Sequence, residues 1–115
     1  MAHPAPAEAP AILLVAPDDA LRYLMERYAR RGGYALRGTT DGGRAPAVVW
    51  VSSLEALEAI RPRERGVVGD DVPLIVIASE GEEPRARELG ADHRVTQPFT
   101  YRDFLAALSA VGVLP

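Results

Sequence analysis

The chain has 115 residues, 48% of them hydrophobic, and a formal net charge of −3 at pH 7, so we expect one small globular domain. It contains no cysteine, which excludes a disulfide framework, a thiolate nucleophile and a cysteine-based zinc site. All 13 basic residues are arginine, and their scatter together with the negative charge argues against a nucleic-acid binder. No apolar run is long enough to span a membrane and no signal-peptide pattern opens the chain, so we expect a cytoplasmic protein without membrane contact.

The first part of the chain predicts a flexible arm followed by a buried strand. Residues 1–10 are mostly alanine and proline, which have little to bury, so the arm is expected there and the folded domain at 11–115. The continuous apolar run Ala11–Ala16 is typical of a central parallel strand that is covered on both faces.

A helix and a short strand follow this run. Asp18 or Asp19 can cap the helix at its amino end, and the pair Gly32-Gly33 is expected to end it. Between them, apolar residues recur at helical spacing and predict one buried face. Residues 34–37 then predict the second strand.

The second half of the chain repeats the alternation of strand and helix. Ser52 is expected to cap a helix, with Glu55 completing a capping box, and Thr100 with Asp103 predicts a second capping box at the last helix. Pro84 suits the first turn of a short helix between them. We interpret the two apolar runs 47–51 and 72–78 as strands 3 and 4, and the short stretch 93–96 as strand 5.

Strands that alternate with helices predict a parallel sheet with helices on both faces. Five strands in about one hundred residues predict the α/β flavodoxin-like order 2-1-3-4-5. The connection at Thr39–Pro46 has eight residues and no helical signal, so the helix between strands 2 and 3 is expected to be missing or reduced. Its loss would expose an apolar face of strands 1 to 3, a candidate contact site.

The stretch 90–108 carries a family resemblance. Its order is a glycine turn, a short strand, Gln97-Pro98-Phe99 and a capped amphipathic helix. This order resembles the last third of the receiver domain of two-component response regulators, and the resemblance extends over residues 11–111. It implies a phosphorelay signalling module with a CheY-like fold, and a cis peptide bond at Gln97-Pro98 that aims Gln97 at Ser52.

The resemblance can be followed residue by residue. In the family an acidic pair precedes a Leu-Arg pair by five residues, and counting back from Leu21-Arg22 reaches Ala16-Pro17. The family also has a phosphoaccepting aspartate on strand 3, a hydroxyl on strand 4, a lysine before the proline and an aromatic switch residue on strand 5. In this chain these four positions are occupied by Ser52, Ala78, Gln97 and Arg94.

These replacements predict a pocket without the receiver chemistry. Magnesium prefers several oxygen ligands, with carboxylates supplying the charge, and Ser52 cannot form an acyl phosphate. Asp18 or Asp19 could replace the acidic pair only through a slip of two residues, against which the spacing argues. We therefore expect no metal, no cofactor and no enzymatic activity.

The function predicted from the sequence is that of a phosphorylation-independent pseudo-receiver, which acts by protein contact and forms a homodimer. The resemblance implies a pairing surface on strand 5 and its flanking helices. Arg94 is expected to point outward, because burying an unpaired charge costs several kcal/mol. An alternative is a sensor of a small ligand or anion that uses Ser52, Ser79 and Gln97, and an enzyme ranks lowest. The residues expected at the pairing surface are Arg94, Tyr101, Phe104, Leu105 and Leu108.

Overall fold

The computed structural model describes residues 9–38, 45–62, 64–66 and 68–115. Over these residues the strands are β1 Ala11–Val15, β2 Ala35–Arg37, β3 Val48–Val51, β4 Leu74–Ile77 and β5 His93–Val95. The helices are α1 Asp19–Gly32, α2 Leu54–Ile60, α3 Glu83–Glu88 and α4 Tyr101–Ala110, and a 3-10 turn at Glu80–Glu82 precedes α3. None of the helices in these ranges is long and apolar enough to cross a membrane.

The five strands form one sheet in the order β2-β1-β3-β4-β5, and every pairing is parallel. The predicted flavodoxin-like architecture is therefore confirmed. The carbonyl of Pro10 accepts a hydrogen bond of 2.9 Å from the amide of Ala35, so contact with the sheet begins one residue before β1. Residues 1–8, most of the predicted arm, lie outside the described residues.

The sheet separates two apolar layers. Alternate strand residues point to opposite faces, so Trp50 and Ile75 pack under α1 and α4, whereas Val49 and Val15 pack under α2 and α3. Val15, Val49 and Ile75 are 1%, 0% and 0% exposed, which confirms that they belong to the core. Both faces of the central strands are therefore buried, as their continuous apolar runs predict.

The capping residues predicted from the sequence lie at both ends of α1 and at the start of α4. Asp18 caps α1, since its Oδ1 accepts a hydrogen bond of 2.7 Å from the amide of Leu21. Gly33 ends this helix with φ of +86°, a left-handed conformation that glycine adopts without strain. Thr100 and Asp103 form the predicted capping box at α4, with hydrogen bonds of 3.0 and 3.1 Å.

The predicted cap of α2 is wrong by one residue. Ser53, rather than Ser52, is the N-cap, and its hydroxyl oxygen accepts a hydrogen bond of 3.0 Å from the amide of Ala56. The hydroxyl of Ser52 instead donates to the carbonyl of Ala16, the residue after β1. The chain therefore takes one more extended residue before the helix begins.

The apolar patch expected beside the β2–β3 connection is not found among the described residues. Residues 39–44 of the connection lie outside them, and Ala45 and Pro46 are not helical. Leu13 and Val15 are only 7% and 1% exposed on the face in question, where the side chain of Leu57 from α2 belongs to the same cluster. In addition, Leu13 pairs with Arg37 on β2, so the edge strand does not extend the apolar surface there.

Candidate functional site

The residues that match the receiver pocket lie at the carboxyl edge of the parallel sheet, where ligands bind in folds of this type. The ends of β1 and β3 are adjacent, since the amide of Ser52 donates a hydrogen bond of 3.2 Å to the carbonyl of Val15. The ends of β4 and β5 are also adjacent, since the amide of Ala78 donates a bond of 3.0 Å to the carbonyl of Val95. The fold therefore places these positions along one edge, as the sequence predicts.

Ser52 links the carboxyl ends of β1 and β3. Its hydroxyl donates a hydrogen bond of 2.6 Å to the carbonyl oxygen of Ala16. Ala16 itself has φ of +56°, a left-handed conformation that costs a residue with a β-carbon some free energy. The hydroxyl at the phosphoacceptor position thus binds the backbone at the position of the acidic pair.

The nearby aspartates do not restore an acidic pair. Asp18 is occupied as the N-cap of α1. Asp19 is fully exposed and lies 3.9 Å from a guanidinium nitrogen of Arg22, which is a loose surface ion pair. Throughout the described ranges, no three His, Asp or Glu side chains come close enough to hold a metal ion.

Arg94 is half-buried: its side chain reaches the surface, but its guanidinium also bonds to the end of β4, which the predicted outward orientation did not include. Its Nη1 donates hydrogen bonds to the carbonyl oxygen of Ala78, at 3.3 Å, and to the hydroxyl of Thr96. Thr96 donates in turn to the same carbonyl, also at 3.3 Å. Two neutral acceptors therefore hold the half-buried guanidinium against the end of β4.

Gln97 lines the cavity beside β5. The peptide bond Gln97-Pro98 is cis, as the resemblance implies. The exposed amide of Gln97 lines an open cavity of about 480 Å³ between β5 and α4, and neither Ser52 nor Ser79 lines this cavity. The described structure therefore does not bring the three residues of the predicted sensor pocket together in this cavity.

Two of the five residues predicted for the pairing surface belong to the core. Phe104 and Leu108 are 0% exposed, because the apolar face of α4 packs against the sheet rather than facing solvent. Tyr101 and Leu105 are half-buried, and the ring of Tyr101 stacks with the guanidinium of Arg31 at 4.1 Å. Only Arg94, Tyr101 and Leu105 of this set reach the surface.

Sequence reasoning missed a second cavity at the same edge of the sheet. It measures about 450 Å³ and lies beside Ala16 and Pro17, between α1 and β2. The charged side chains of Arg22, Glu26 and Arg37 line it. The helical spacing of residues 22 and 26 was a signal that they share a face, but their contact with the sheet edge depends on the tertiary fold.

Comparison with known proteins relates this chain to transcriptional regulatory proteins. The chain is 27% identical to the phosphate regulon transcriptional regulatory protein PhoB of Pseudomonas aeruginosa, in an alignment that covers 87% of this chain and 50% of that protein. It is 30% identical to the transcriptional regulatory protein GltR of the same organism, with coverage of 87% and 48%. The chain thus spans about half the length of these curated relatives.

Solved structures with the same fold are receiver proteins. A response regulator receiver protein from Burkholderia phymatum superposes with a TM-score of 0.70 at 20% identity, covering 90% of this chain and 96% of that one. The chemotaxis response regulator CheY4 of Vibrio cholerae gives 0.69 at 16% identity, covering 90% and 98%. No protein-family model matches the chain.

Proposed function

We propose that this chain, a receiver-type domain of the response-regulator kind by fold and by sequence similarity, signals without phosphorylation, by contact with another protein. The curated relatives are named as transcriptional regulatory proteins and the similar solved structures as response regulators, which supports a role in two-component signalling. The proposal concerns the domain, since the chain spans only about half of those relatives.

The observation that carries this proposal is the hydrogen bond between Ser52 and Ala16. Phosphoryl transfer needs an oxygen nucleophile and a cation that neutralises the developing charge. Here the side chain after β3 is an alcohol directed at a backbone carbonyl, and the residues after β1 are alanine and proline. These side chains offer no carboxylate to magnesium, and no acyl phosphate can form on Ser52.

The test is incubation with acetyl phosphate and magnesium, followed by intact-mass measurement, with a phosphorylatable receiver treated in parallel. We expect no mass increase in this chain under conditions that label the control receiver. Stoichiometric addition of a phosphoryl group, at Ser52 or at any aspartate, would overturn the proposal.

We further propose that the contact surface includes β5 and the exposed side of α4. Arg94, Tyr101 and Leu105 contribute to this surface, and the cavity between β5 and α4 gives it a concave shape. A second copy of the chain is the proposed partner, because a surface that is fixed without an activation step can associate by mass action alone.

Analytical ultracentrifugation tests this pairing surface. Wild type should show a concentration-dependent shift from monomer to dimer, and Ala106→Glu, on the exposed side of α4, should shift it toward monomer. Ala59→Glu makes the same chemical change at an exposed position of α2, which lies on the opposite face of the sheet, and it should leave the association unchanged. A monomer at every concentration, or equal effects of both variants, would exclude this surface.

A further inference from the structure

The cavity between α1 and β2 combines buried apolar side chains with exposed charged ones. Leu14 of β1 is 3% exposed and Leu36 of β2 is half-buried, and both line the cavity together with the exposed Arg22 and Glu26 of α1. Its volume of about 450 Å³ lies within the range of small-molecule sites, about 300–1,000 Å³. The cavity extends to Ala16, at the carboxyl edge of the sheet, where folds of this type bind ligands.

Three charged side chains line this cavity, and they carry both signs. Arg22 and Glu26 are one helical turn apart on α1, so they share one side of the helix. Arg37, the last residue of β2, adds a second guanidinium. A simple anion in the cavity would be repelled by the carboxylate of Glu26, and a simple cation would be repelled by two guanidiniums. The lining therefore matches a ligand that carries both a carboxylate and an ammonium group.

Arg22 and Glu26 are available to such a ligand. Among the described residues, no ion pair or hydrogen bond engages the carboxylate of Glu26, although the spacing of residues 22 and 26 would allow the two side chains to pair. Arg22 forms a loose ion pair at 3.9 Å with Asp19, whose side chain is fully exposed. A guanidinium gains more from a carboxylate that accepts two hydrogen bonds, and that geometry is not reached at this distance.

We propose that this cavity binds a small apolar α-amino acid in its zwitterionic form. The carboxylate of the ligand lies between Arg22 and Arg37, and its ammonium group pairs with Glu26. The aliphatic side chain of the ligand contacts Leu14 and Leu36. This inference goes beyond the proposed function, because β2 and β5 are the opposite edges of the sheet and no residue of this cavity belongs to the proposed pairing surface.

The experiment titrates the full chain with L-leucine and follows the amide chemical shifts by NMR. Shifts should concentrate at residues 14–16, 22–26 and 36–38, with half-saturation at about 1 mM, as expected for so small a ligand. Glycine carries the same two charges but has no side chain to contact Leu14 and Leu36. Glycine should therefore bind about tenfold more weakly than leucine.

Two matched ligands separate the two charges. Isocaproate is leucine without the ammonium group, isopentylamine is leucine without the carboxylate, and both should bind wild type more weakly than leucine does. Glu26→Gln should abolish the preference for leucine over isocaproate, because the partner of the ammonium group is lost. Arg22→Gln should weaken leucine binding about threefold and leave isopentylamine binding unchanged. Arg30→Gln, at an exposed position of α1 outside the cavity, should leave the affinity for every ligand unchanged.

Each result supports or overturns a named part of the assignment. Equal affinities of wild type for leucine and isocaproate, or an unaltered preference in Glu26→Gln, would overturn the zwitterionic ligand. Equal affinities for leucine and glycine would overturn the apolar contact. Saturation of the same amides by inorganic phosphate at a lower concentration than by leucine would show a simple anion site instead. An absence of shifts up to the solubility limit of leucine, or shifts outside the cavity alone, would overturn the site itself.

Discussion

The hydroxyl of Ser52 donates a hydrogen bond of 2.6 Å to the carbonyl oxygen of Ala16, and this bond joins the carboxyl ends of β1 and β3. The two residues are 36 positions apart in the sequence. The bond uses the hydroxyl at the phosphoacceptor position for structure, so its energetic role can be measured separately from any signalling role.

Ser52→Ala should lower the free energy of unfolding by about 1 kcal/mol, because one hydrogen bond is lost and a carbonyl at the surface can recover part of it from water. Ser109→Ala is the matched control at an exposed position of α4, where alanine is the better helix former, and should not destabilise the domain. Urea denaturation of the three proteins measures the difference. Equal stability of Ser52→Ala and wild type would show that the bond contributes nothing.

Ala16→Gly should stabilise the domain. Ala16 has φ of +56°, and glycine adopts this conformation without the clash of a β-carbon. The relief is partly offset by the greater freedom of glycine in the unfolded chain, so we expect a net gain of up to about 1 kcal/mol. Ala20→Gly, at an exposed position in α1, should instead lose about 0.5–1 kcal/mol. A loss in both variants would argue against strain at residue 16.

Val49→Asp should prevent cooperative folding. Val49 is 0% exposed on β3 in the centre of the sheet, and a carboxylate there has no cation to pair with among its apolar neighbours in the described core. Ala20→Asp places the same group at an exposed first-turn position of α1, where the helix dipole favours it. Circular dichroism with thermal melting compares them, and a cooperative melt of Val49→Asp near that of wild type would contradict the central position of β3.

The sequence predicted the parts of this fold that depend on local signals. The capping box of Thr100 and Asp103 is such a part, since both residues lie within one helical turn. The choice between Ser52 and Ser53 as the cap of α2 is different, because either serine could accept the amide hydrogen bond, and Ser52 instead bonds to the carbonyl of Ala16 at the end of a distant strand. That strand is adjacent only once the sheet has formed.

The candidate site was less predictable for the same reason. The acceptors of Arg94 are a carbonyl just after β4 and a hydroxyl just after β5, so sequence spacing alone gave no sign of these contacts. The helical spacing of Phe104 and Leu108 correctly predicted that they share one face of α4. The same spacing is found on a helix face that packs in a core and on one that binds a partner. Burial against the sheet assigns both residues to the core.

Glu58 and Arg85 form the contact between α2 and α3 that should be most sensitive to acid. The guanidinium of Arg85 donates two hydrogen bonds to Oε2 of Glu58, one of them from Nε at 3.1 Å. These hydrogen bonds, followed by the charge of Arg85, hold the pKa of the Glu58 carboxyl below its ordinary value of 4.5. A second carboxylate, on Glu88, accepts from the same guanidinium at 3.2 Å.

The lowered pKa of Glu58 determines how its contribution to the stability of the domain changes with pH. A carboxyl whose pKa is lower in the folded state binds fewer protons there than in the unfolded chain. Its stabilising contribution is therefore complete above the unfolded pKa near 4.5 and is lost as the pH falls through the folded pKa.

NMR titration of the side-chain carboxyl carbon of Glu58 should give a midpoint below 4.5 in wild type and a higher midpoint in Arg85→Gln. Arg87→Gln removes a neighbouring arginine of α3 that pairs with Glu83 instead, and should leave the Glu58 midpoint unchanged. If Arg85→Gln and wild type titrate together, the contact between the two helices does not persist in solution.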